Sequence, residues 1–172
     1  MIMENKYKKS KSDFKPIYNL DTKIIILGSH PSVKSKELGF YYMNFRNRFW
    51  QVLSSLFNVN FLSMSKEEKE KTLLNLNIGL YDVVMSCDII GSSDLSIKKV
   101  EPIDLKYILD NSKVERIYLN GKKAYDLFVK YFSRLANEYN IEYKLMPSTS
   151  PANARYSLND LCEIWSDILN YV

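Results

Sequence analysis

The sequence predicts an α/β protein: a three-layer α/β/α sandwich with a central parallel sheet of four strands. Short β-branched apolar runs alternate along the chain with longer segments of helical periodicity, and this alternation is typical of right-handed βαβ crossovers. The first run, residues 24–27, is apolar at every position and ends at Gly28. Such a continuous apolar run indicates a strand buried on both faces, between two layers of helices.

The elements of the first half follow in order. Apolar residues at helical spacing over residues 46–57 predict the first helix. Ser65 and Glu68 form a capping-box pattern, so a second, charged helix begins there. Residues 80–85 predict a second strand, and residues 86–96, rich in Gly, Ser and Asp, predict a loop.

The second half continues the alternation. Pro102 predicts the start of a short helix, because proline is favoured in the first helical turn. Residues 116–119 predict the third strand, and Gly121 precedes a long amphipathic helix. Residues 142–146 predict the fourth strand, and Ser157 caps a final helix.

Composition limits the class of protein. The chain has 172 residues, 46% of them hydrophobic, which suits one packed domain over residues 14–172. The lysine-rich residues 1–13 predict a flexible, basic N-terminal tail. The two cysteines, Cys87 and Cys162, fit neither a disulfide framework nor a zinc or iron–sulfur site. No apolar run is long enough to span a membrane and no signal peptide is visible, so we expect a cytoplasmic protein.

Two polar segments follow apolar strands and carry most of the functional information. The first covers residues 27–32, with aromatic residues at 40–42 and Asn-Arg-Phe-Trp at 47–50; the second is the Pro- and Ser-rich segment 145–153. Both leave the carboxyl end of a predicted parallel strand, and ligands of open α/β sheets bind at that edge. We therefore expect the two segments, although distant in sequence, to line one cleft.

These segments resemble the uracil-DNA glycosylase superfamily, and most closely its hypoxanthine-DNA (deoxyinosine) glycosylase branch. The similarity covers Gly-Ser-His-Pro-Ser at 28–32, Asn-Arg-Phe-Trp at 47–50, Tyr-Asp-Val-Val at 81–84 and Pro-Ser-Thr-Ser-Pro-Ala-Asn at 147–153. The resemblance implies the four-stranded parallel sheet of the superfamily and an enzyme that extracts a base from DNA and cleaves its glycosidic bond. It implies no metal or organic cofactor.

The resemblance has departures. Asn44 and Phe45 stand where the family has His-Pro, and mismatch-specific relatives place a catalytic Asn where His30 stands. The uracil-specific enzymes have a water-activating Asp in the first loop and a His before the Pro-Ser turn, and this chain has neither. The chemistry of those enzymes therefore cannot be transferred unchanged.

The first loop supplies the predicted catalytic residues and the aromatic face. The resemblance points to Asn47 as a catalytic residue that orients water or binds the base, although an Asn here also suits a helix cap. His30, the single histidine, is the second catalytic candidate, as a donor to the leaving base, or else a structural residue. Tyr42 is predicted either to stack on the extracted base or to be a core tyrosine.

Gly28, Ser29 and Asp82 are predicted to complete the base-binding site. The backbone N–H of Ser29 is suited to support developing negative charge. Asp82 ends the apolar part of the second strand, where the superfamily has a base-reading residue. A carboxylate accepts hydrogen bonds, so Asp82 favours hypoxanthine, which carries a hydrogen on N1, over adenine, whose N1 is an acceptor. The alternative for Asp82 is capping of the following loop.

The predicted DNA contacts are hydroxyls, backbone amides and basic side chains near the cleft. The net charge of +4 is compatible with a polyanionic partner. Hydroxyls and a helix N-terminus suit phosphate contacts, and the turn after the fourth strand suits a wedge that fills a vacated base stack. The alternative for this turn is a plain connector. The predicted contacts are Ser32, Lys123, Ser148, Thr149, Ser150, Ala152, Asn153 and Arg155.

The predicted function is a monofunctional DNA glycosylase that hydrolyses the N-glycosidic bond of a flipped deaminated base, chiefly hypoxanthine, and leaves an abasic site. We expect a monomer whose partner is DNA with a deaminated base, with no membrane and no metal involved. Two alternatives stay open. One is a uracil- or mismatch-specific glycosylase, and the other is a catalytically inert nucleic-acid-binding member of the fold.

Overall fold

The computed structural model describes residues 6–172 and confirms the predicted α/β sandwich. The described residues form seven strands: β1 (Lys8–Lys11), β2 (Ile24–Gly28), β3 (Ile78–Asp82), β4 (Val84–Ile89), β5 (Lys98–Pro102), β6 (Arg116–Asn120) and β7 (Glu142–Met146). They also form six α-helices: α1 (Val33–Leu38), α2 (Phe49–Phe57), α3 (Lys66–Asn75), α4 (Leu105–Asp110), α5 (Lys122–Glu138) and α6 (Leu158–Trp165). Short 3-10 helices cover Phe61–Ser63, Asp94–Ser96 and Ser166–Asn170.

A parallel sheet of four strands, in the order β3-β2-β6-β7, forms the centre of the fold. The central strand β2 pairs with β3 and β6, and its residues 24–27 are fully buried, as their apolar run predicts. Helix α5 packs on β6 and β7, α3 packs on β3, and α2 packs on α6. Because the four strands are parallel, their carboxyl ends lie along one edge of the sheet.

The helix boundaries follow local capping signals. The capping boxes at Ser65 and Ser157 are both present, with the predicted acidic residue three positions on. Helix α2 begins at Phe49 and not at residue 46, because the preceding residues form a turn in which the Asn47 N–H donates to the Asn44 carbonyl at 2.8 Å. This turn projects from the cleft edge of the sheet.

A second, antiparallel sheet in the order β1-β4-β5 corrects the sequence prediction for residues 83–96. The predicted strand 80–85 is two strands in two sheets, and β4 continues to Ile89, within the predicted loop. The sequence predicts a loop here because Ser86 and Asp88 are polar. Along β4, the half-buried Met85 and Asp88 are three positions apart, so the strand lacks regular period-2 alternation, and register shifts interrupt its pairing with β5.

The lysine-rich N-terminal segment is the second difference from the prediction. Residues 1–5 of the predicted tail lie outside the described residues. Residues 8–11 are not a flexible tail: they form β1, which pairs antiparallel with β4, Lys8 opposite Ile89 and Lys11 opposite Ser86. The strand is held by backbone pairing, and its exposed lysines are typical of a sheet edge. Apolar periodicity therefore gives no signal for it.

Pro102 is the third difference. It does not begin a helix: it is the last residue of the edge strand β5, where a missing N–H costs no ladder hydrogen bond. Helix α4 begins three residues later, at Leu105, and Asp104 caps it by accepting a hydrogen bond from the Tyr107 N–H at 3.1 Å.

Candidate active site

The carboxyl ends of the parallel strands and the two predicted loops form one cleft. Strand β2 ends at Gly28, β3 at Asp82 and β6 at Asn120. The segment after β2 and the turn after β7 line this cleft together, so the structure unites the two segments singled out from the sequence. The cleft is lined mainly by residues 28–32, Tyr42, Asn47, Asp82, Asn120 and residues 148–150.

Gly28 forms part of the cleft wall where space is smallest. A Cβ atom at this position would lie 2.5 Å from the Asp82 Oδ1 and 2.8 Å from the Tyr42 hydroxyl. Both distances are shorter than a van der Waals contact, so a larger residue would displace the Asp82 carboxylate and the Tyr42 hydroxyl. The predicted role of Gly28 in the base site therefore has a physical basis, because its missing side chain lets two polar groups approach the strand.

Asp82 and Tyr42 each present a buried polar atom that has no hydrogen-bond partner among residues 6–172. These atoms are the Asp82 Oδ2 and the Tyr42 hydroxyl oxygen. Burial raises the pKa of Asp82 to about 7, and the negative charge of Asp94 adds to the shift. Burial and the neighbouring Asp82 raise the pKa of Tyr42 far above its usual range, against a smaller opposing effect of the Asn120 side chain, so the phenol keeps its proton. Unpartnered buried polar atoms are rare in native proteins and mark a place for ligand atoms.

Tyr42 is held differently from an ordinary core tyrosine. Its backbone φ is 54°, in the left-handed region that aromatic residues seldom adopt. The Phe49 ring stacks on it with centroids 4.1 Å apart and planes 25° apart. A strained backbone at a cleft indicates that the position of this side chain matters for function.

Asn47 combines the two roles that the sequence left open. Its Oδ1 accepts hydrogen bonds from the Phe49 N–H at 3.0 Å and from the Thr149 hydroxyl at 2.8 Å. The first bond satisfies the N–H of Phe49, the first residue of α2, so Asn47 supports the start of the helix from the position before its N-cap, Arg48. The Nδ2 group has no partner within the described chain, and the residue lines the cleft. The Oδ1 atom of Asn47 therefore has a structural role, and its Nδ2 group is free to bind a ligand.

Thr149 supports Asn47 from within the cleft wall, and its phosphate contact stays a prediction. Its side chain is fully buried. Its N–H donates to the Asn120 Oδ1 at 3.0 Å, and its hydroxyl oxygen accepts from the Asn120 Nδ2 at 3.0 Å. Sequence reasoning missed this role of Asn120, although a polar residue ending a buried strand was the same signal that identified Asp82.

Arg48 is a second residue that sequence reasoning missed. Its guanidinium donates to the carbonyls of Ser150 at 3.2 Å and Asn153 at 2.8 Å, and also to the carbonyl of Tyr156. Its own N–H donates to the Thr149 carbonyl at 3.0 Å. Arg48 thus clamps the turn after β7 against the start of α2. The Asn-Arg-Phe-Trp run was a visible signal, but nothing local indicated these distant acceptors.

The turn after β7 uses most of its polar groups internally. The Ser148 hydroxyl accepts from the Ser150 N–H at 3.2 Å, and the Ser150 hydroxyl accepts from the Ala152 N–H at 3.2 Å. The Asn153 Nδ2 donates to the Ser148 carbonyl at 2.9 Å. This bond uses the Asn153 amide to hold the turn, and the role of Asn153 in a wedge stays a prediction. Ala152 and Arg155 are exposed, outside the cleft lining.

Both ring nitrogens of His30 are engaged within the protein. Nδ1–H donates to the Val84 carbonyl at 3.1 Å, and Nε2 accepts from the Ser10 hydroxyl at 2.9 Å. Lys36 donates to the same hydroxyl oxygen at 2.5 Å, which directs the Ser10 hydrogen to the ring. Burial lowers the pKa of His30; the bond to Val84 opposes this and the charge of Lys36 adds to it. The geometry favours the structural role over the catalytic one.

Three other predicted site residues either form hydrogen bonds within the protein or lie outside the cleft. The Ser29 hydroxyl donates to the Asp94 carboxylate at 2.6 Å, which brings the loop after β4 to the cleft. The Ser32 hydroxyl caps α1 by accepting from the Ser35 N–H at 3.1 Å. Lys123 lines a neighbouring groove between β5 and α5 and is not in the cleft lining.

Comparison with known proteins agrees with this geometry. The profile of the "Uracil DNA glycosylase superfamily" matches residues 15–169. The chain belongs to the uracil DNA glycosylase superfamily. It is 33% identical to a hypoxanthine DNA glycosylase of Methanosarcina acetivorans, over 94% of this chain and 99% of the relative. It is 28% identical to a hypoxanthine DNA glycosylase of Methanosarcina barkeri, over 91% and 96%.

A solved structure supports the same assignment. The solution NMR structure of a candidate uracil DNA glycosylase from Methanosarcina acetivorans superposes with a TM-score of 0.76 at 35% identity, covering 90% of this chain and 93% of that one. The predicted resemblance and the predicted class of enzyme, a DNA glycosylase, are therefore confirmed.

Two carboxylates line the cleft. The first loop lacks the acidic residue of the uracil-specific enzymes, and the carboxylates that line the cleft are Asp82, from the end of β3, and Asp94, from the loop after β4. Within residues 6–172 there is no group of three or more His, Cys, Asp or Glu side chains that could hold a metal ion. Among the described helices, none is both long and apolar enough to cross a membrane.

Proposed function

We propose that the protein hydrolyses the N-glycosidic bond of hypoxanthine in DNA and leaves an abasic site. The observation that carries this proposal is the buried, unpartnered carboxylate oxygen of Asp82, close to Gly28 and Tyr42. The two Methanosarcina relatives named hypoxanthine DNA glycosylases support the same substrate. A monomeric, cytoplasmic enzyme that needs neither a metal nor an organic cofactor is part of the proposal.

Asp82 explains the choice of hypoxanthine over adenine. Hypoxanthine carries a hydrogen on N1, which an ionised carboxylate accepts, whereas adenine presents a lone pair there and is repelled. The base lies against the Tyr42 ring, whose contribution by stacking is about 1–3 kcal/mol. The free energy lost by burying unpartnered atoms in the free protein is recovered when the base binds, which favours the extracted state.

Asn47 acts as a donor in the cleavage step. Its Oδ1 already accepts two hydrogen bonds, from Phe49 and Thr149. A carbonyl-type oxygen has two lone pairs, so Asn47 has no free acceptor for a proton of water. The Nδ2–H group instead donates to the departing base or to the oxygen of the attacking water. Either bond supports a transition state in which the sugar is oxocarbenium-like and the base gains negative charge.

The remaining predicted residues serve the DNA backbone in this proposal. The Ser148 and Ser150 hydroxyls accept bonds from the backbone of their own turn, and each hydroxyl hydrogen remains a donor for a phosphate oxygen. Arg155 is exposed beyond this turn, and Lys123 lies beside the cleft on α5. Ser32 caps α1 next to the same loop.

A panel of labelled duplexes tests the proposed function. Each duplex carries hypoxanthine, xanthine, uracil or adenine at one position, and product is measured after alkali treatment with enzyme in excess. We expect cleavage at hypoxanthine, no cleavage at adenine, and no strand break without alkali. A faster reaction at uracil, which also presents an N–H to a carboxylate, identifies the uracil-specific alternative. Tight binding without product from any deaminated base identifies the inert alternative and contradicts the proposal.

A further inference from the structure

A large aromatic side chain, Phe45, is exposed to solvent next to the cleft. Phe45 is 81% exposed. It occupies a tip position of the turn that Asn44 and Asn47 close, through the backbone bond of 2.8 Å already described and a second bond of 3.0 Å from the Arg46 N–H to the Asn44 side chain. The turn is thus fixed at its base, two residues from the amide that lines the cleft, and Phe45 points away from the protein.

Arg46 shares the tip with Phe45. Its guanidinium lies over the Phe45 ring, 5.5 Å from the centroid. The pair presents an apolar plate and a positive charge on the same turn. Nucleic acid offers the matching chemistry, with bases that stack on aromatic rings and phosphates that bind guanidinium groups.

Two residues to which the sequence assigns the wedge role, in the turn after β7, are poorly suited to it. Ala152 is exposed but ends at a methyl group, and the Asn153 amide is bound to the Ser148 carbonyl. Proteins that hold a duplex open insert a large apolar side chain at the disrupted step. Phe45, 81% exposed and two residues from the cleft-lining Asn47, is an aromatic side chain of that kind; Leu95, 93% exposed and next to the cleft-lining Asp94, is an aliphatic one.

We propose that Phe45 enters the base stack next to the extracted nucleotide, while Arg46 binds the flanking phosphate. The proposal rests on the proposed function, because it concerns how the lesion leaves the duplex. It assigns the wedge to the turn before α2 and leaves the turn after β7 as the support of Asn47. It also gives a role to the residues at which this chain departs from the His-Pro of its family.

Single-turnover excision from duplex and single-stranded substrates tests this assignment. A wedge is needed only where a stack must be opened. We therefore expect Phe45→Ala to slow excision of hypoxanthine from duplex DNA by about 10- to 100-fold and to change the single-strand rate by less than about twofold. Phe45→Trp should restore most of the duplex rate. Arg46→Gln should reduce the slope of log binding constant against log salt concentration by about one.

The matched control is Leu20→Ala, since Leu20 is 68% exposed and precedes β2, at the opposite edge of the sheet. It should change neither rate. An equal loss from both substrates with Phe45→Ala, or no loss from the duplex, overturns the proposal.

A binding measurement separates this inference from the proposed function. A 2-aminopurine next to the lesion becomes brighter when its stacking neighbour is extracted, and this signal needs no cleavage. We expect the wild-type protein to raise the fluorescence and Phe45→Ala to raise it much less. If the wild-type protein excises no base, the proposed function fails, but this comparison still decides the role of Phe45. Equal signals from both proteins overturn that role.

Discussion

The two sides of the cleft differ in how they use their polar groups. On the side formed by the ends of β2 and β3, the Tyr42 hydroxyl and the Asp82 Oδ2 have no partner in the described chain. On the side formed by the turn after β7, the N–H, carbonyl and hydroxyl of Thr149 are all in hydrogen bonds. The side formed by β2 and β3 therefore offers free polar atoms to a ligand. The turn after β7 supports that side through its hydrogen bonds.

This difference has an energetic meaning. Each buried polar atom without a partner destabilises the free protein by about 1–3 kcal/mol, so the first side is a source of strain that a base relieves. The second side stabilises the fold by the same kind of bond. Asn47 joins the two sides, because its Oδ1 belongs to the second and its Nδ2 to the first.

The largest effect is expected where the two sides meet. Asn47→Asp keeps oxygen acceptors for Phe49 and Thr149 but removes the Nδ2–H donor. We expect single-turnover excision to fall by roughly 10²–10³-fold, as when one donor to a developing charge is lost, with a nearly unchanged melting temperature. Asn47→Ala should lose as much activity and also about 1 kcal/mol of stability through the missing cap. Wild-type activity in Asn47→Asp would show that Asn47 is only a cap.

The second-largest effect is expected at Asp82, where activity and stability should depend differently on pH. The ionised carboxylate is the form that accepts the N1 hydrogen, so kcat/KM for hypoxanthine should rise with pH up to about 7, the pKa of Asp82, and then level off. Asp82→Asn should lower excision about 10- to 100-fold at pH 8 and remove this pH dependence. The measurement is the pH–rate profile of both proteins.

The free energy of unfolding should respond to pH in the direction opposite to that of activity. Between the ordinary pKa of 3.8 and about 7, the native protein holds a proton on Asp82 that the unfolded chain has lost. The free energy of unfolding therefore falls as pH rises through this window, and Asp82→Asn lacks that loss. By urea denaturation we expect the variant to be more stable than the wild type by about 2–4 kcal/mol at pH 8, by less at pH 5, and by little below the ordinary pKa of 3.8. A variant that is less stable at pH 8 would contradict the strained state of Asp82.

The ligand-facing side was largely predictable from sequence. Gly28 and Asp82 end buried strands, and Tyr42 and Asn47 lie in the loop after the first of them. Because parallel strands share one carboxyl edge, the position in the chain was enough to place these residues together. The alternation of apolar segments predicted the central sheet for the same reason.

The supporting side was not predictable, because it depends on contacts between distant segments. No local pattern shows that Arg48 reaches three carbonyls beyond β7, or that Thr149 lies between Asn120 and Asn47. Strand β1 was missed for a related reason. It is stabilised by backbone pairing with β4, and its lysine-rich sequence resembles a solvated tail.

A moderate effect is expected at Thr149, which supports Asn47. Thr149→Val keeps the shape of the side chain but removes the hydroxyl between Asn120 and Asn47. We expect kcat to fall about tenfold with little change in KM, and the free energy of unfolding to fall by about 1–3 kcal/mol, because buried amide groups lose their partner. Thr149→Ser restores the hydroxyl and should restore kcat. If Thr149→Val instead flattens the salt dependence of DNA binding at normal kcat, Thr149 contacts phosphate as the sequence suggested.

The smallest effect on catalysis is expected at His30, although it lies in the cleft wall. Its two ring nitrogens are bound to Val84 and Ser10, and its lowered pKa favours the neutral ring, whose one N–H already donates to Val84. We expect His30→Ala to change the single-turnover rate by less than about threefold and to lower stability by about 1 kcal/mol, since one link between β1 and the first loop is lost. Ser10→Ala breaks the same link from β1 and should give the same stability loss. If His30→Ala slows excision a hundredfold or more and Ser10→Ala does not, His30 is a catalytic residue and the first side of the cleft contains one more functional group than its hydrogen bonds indicate.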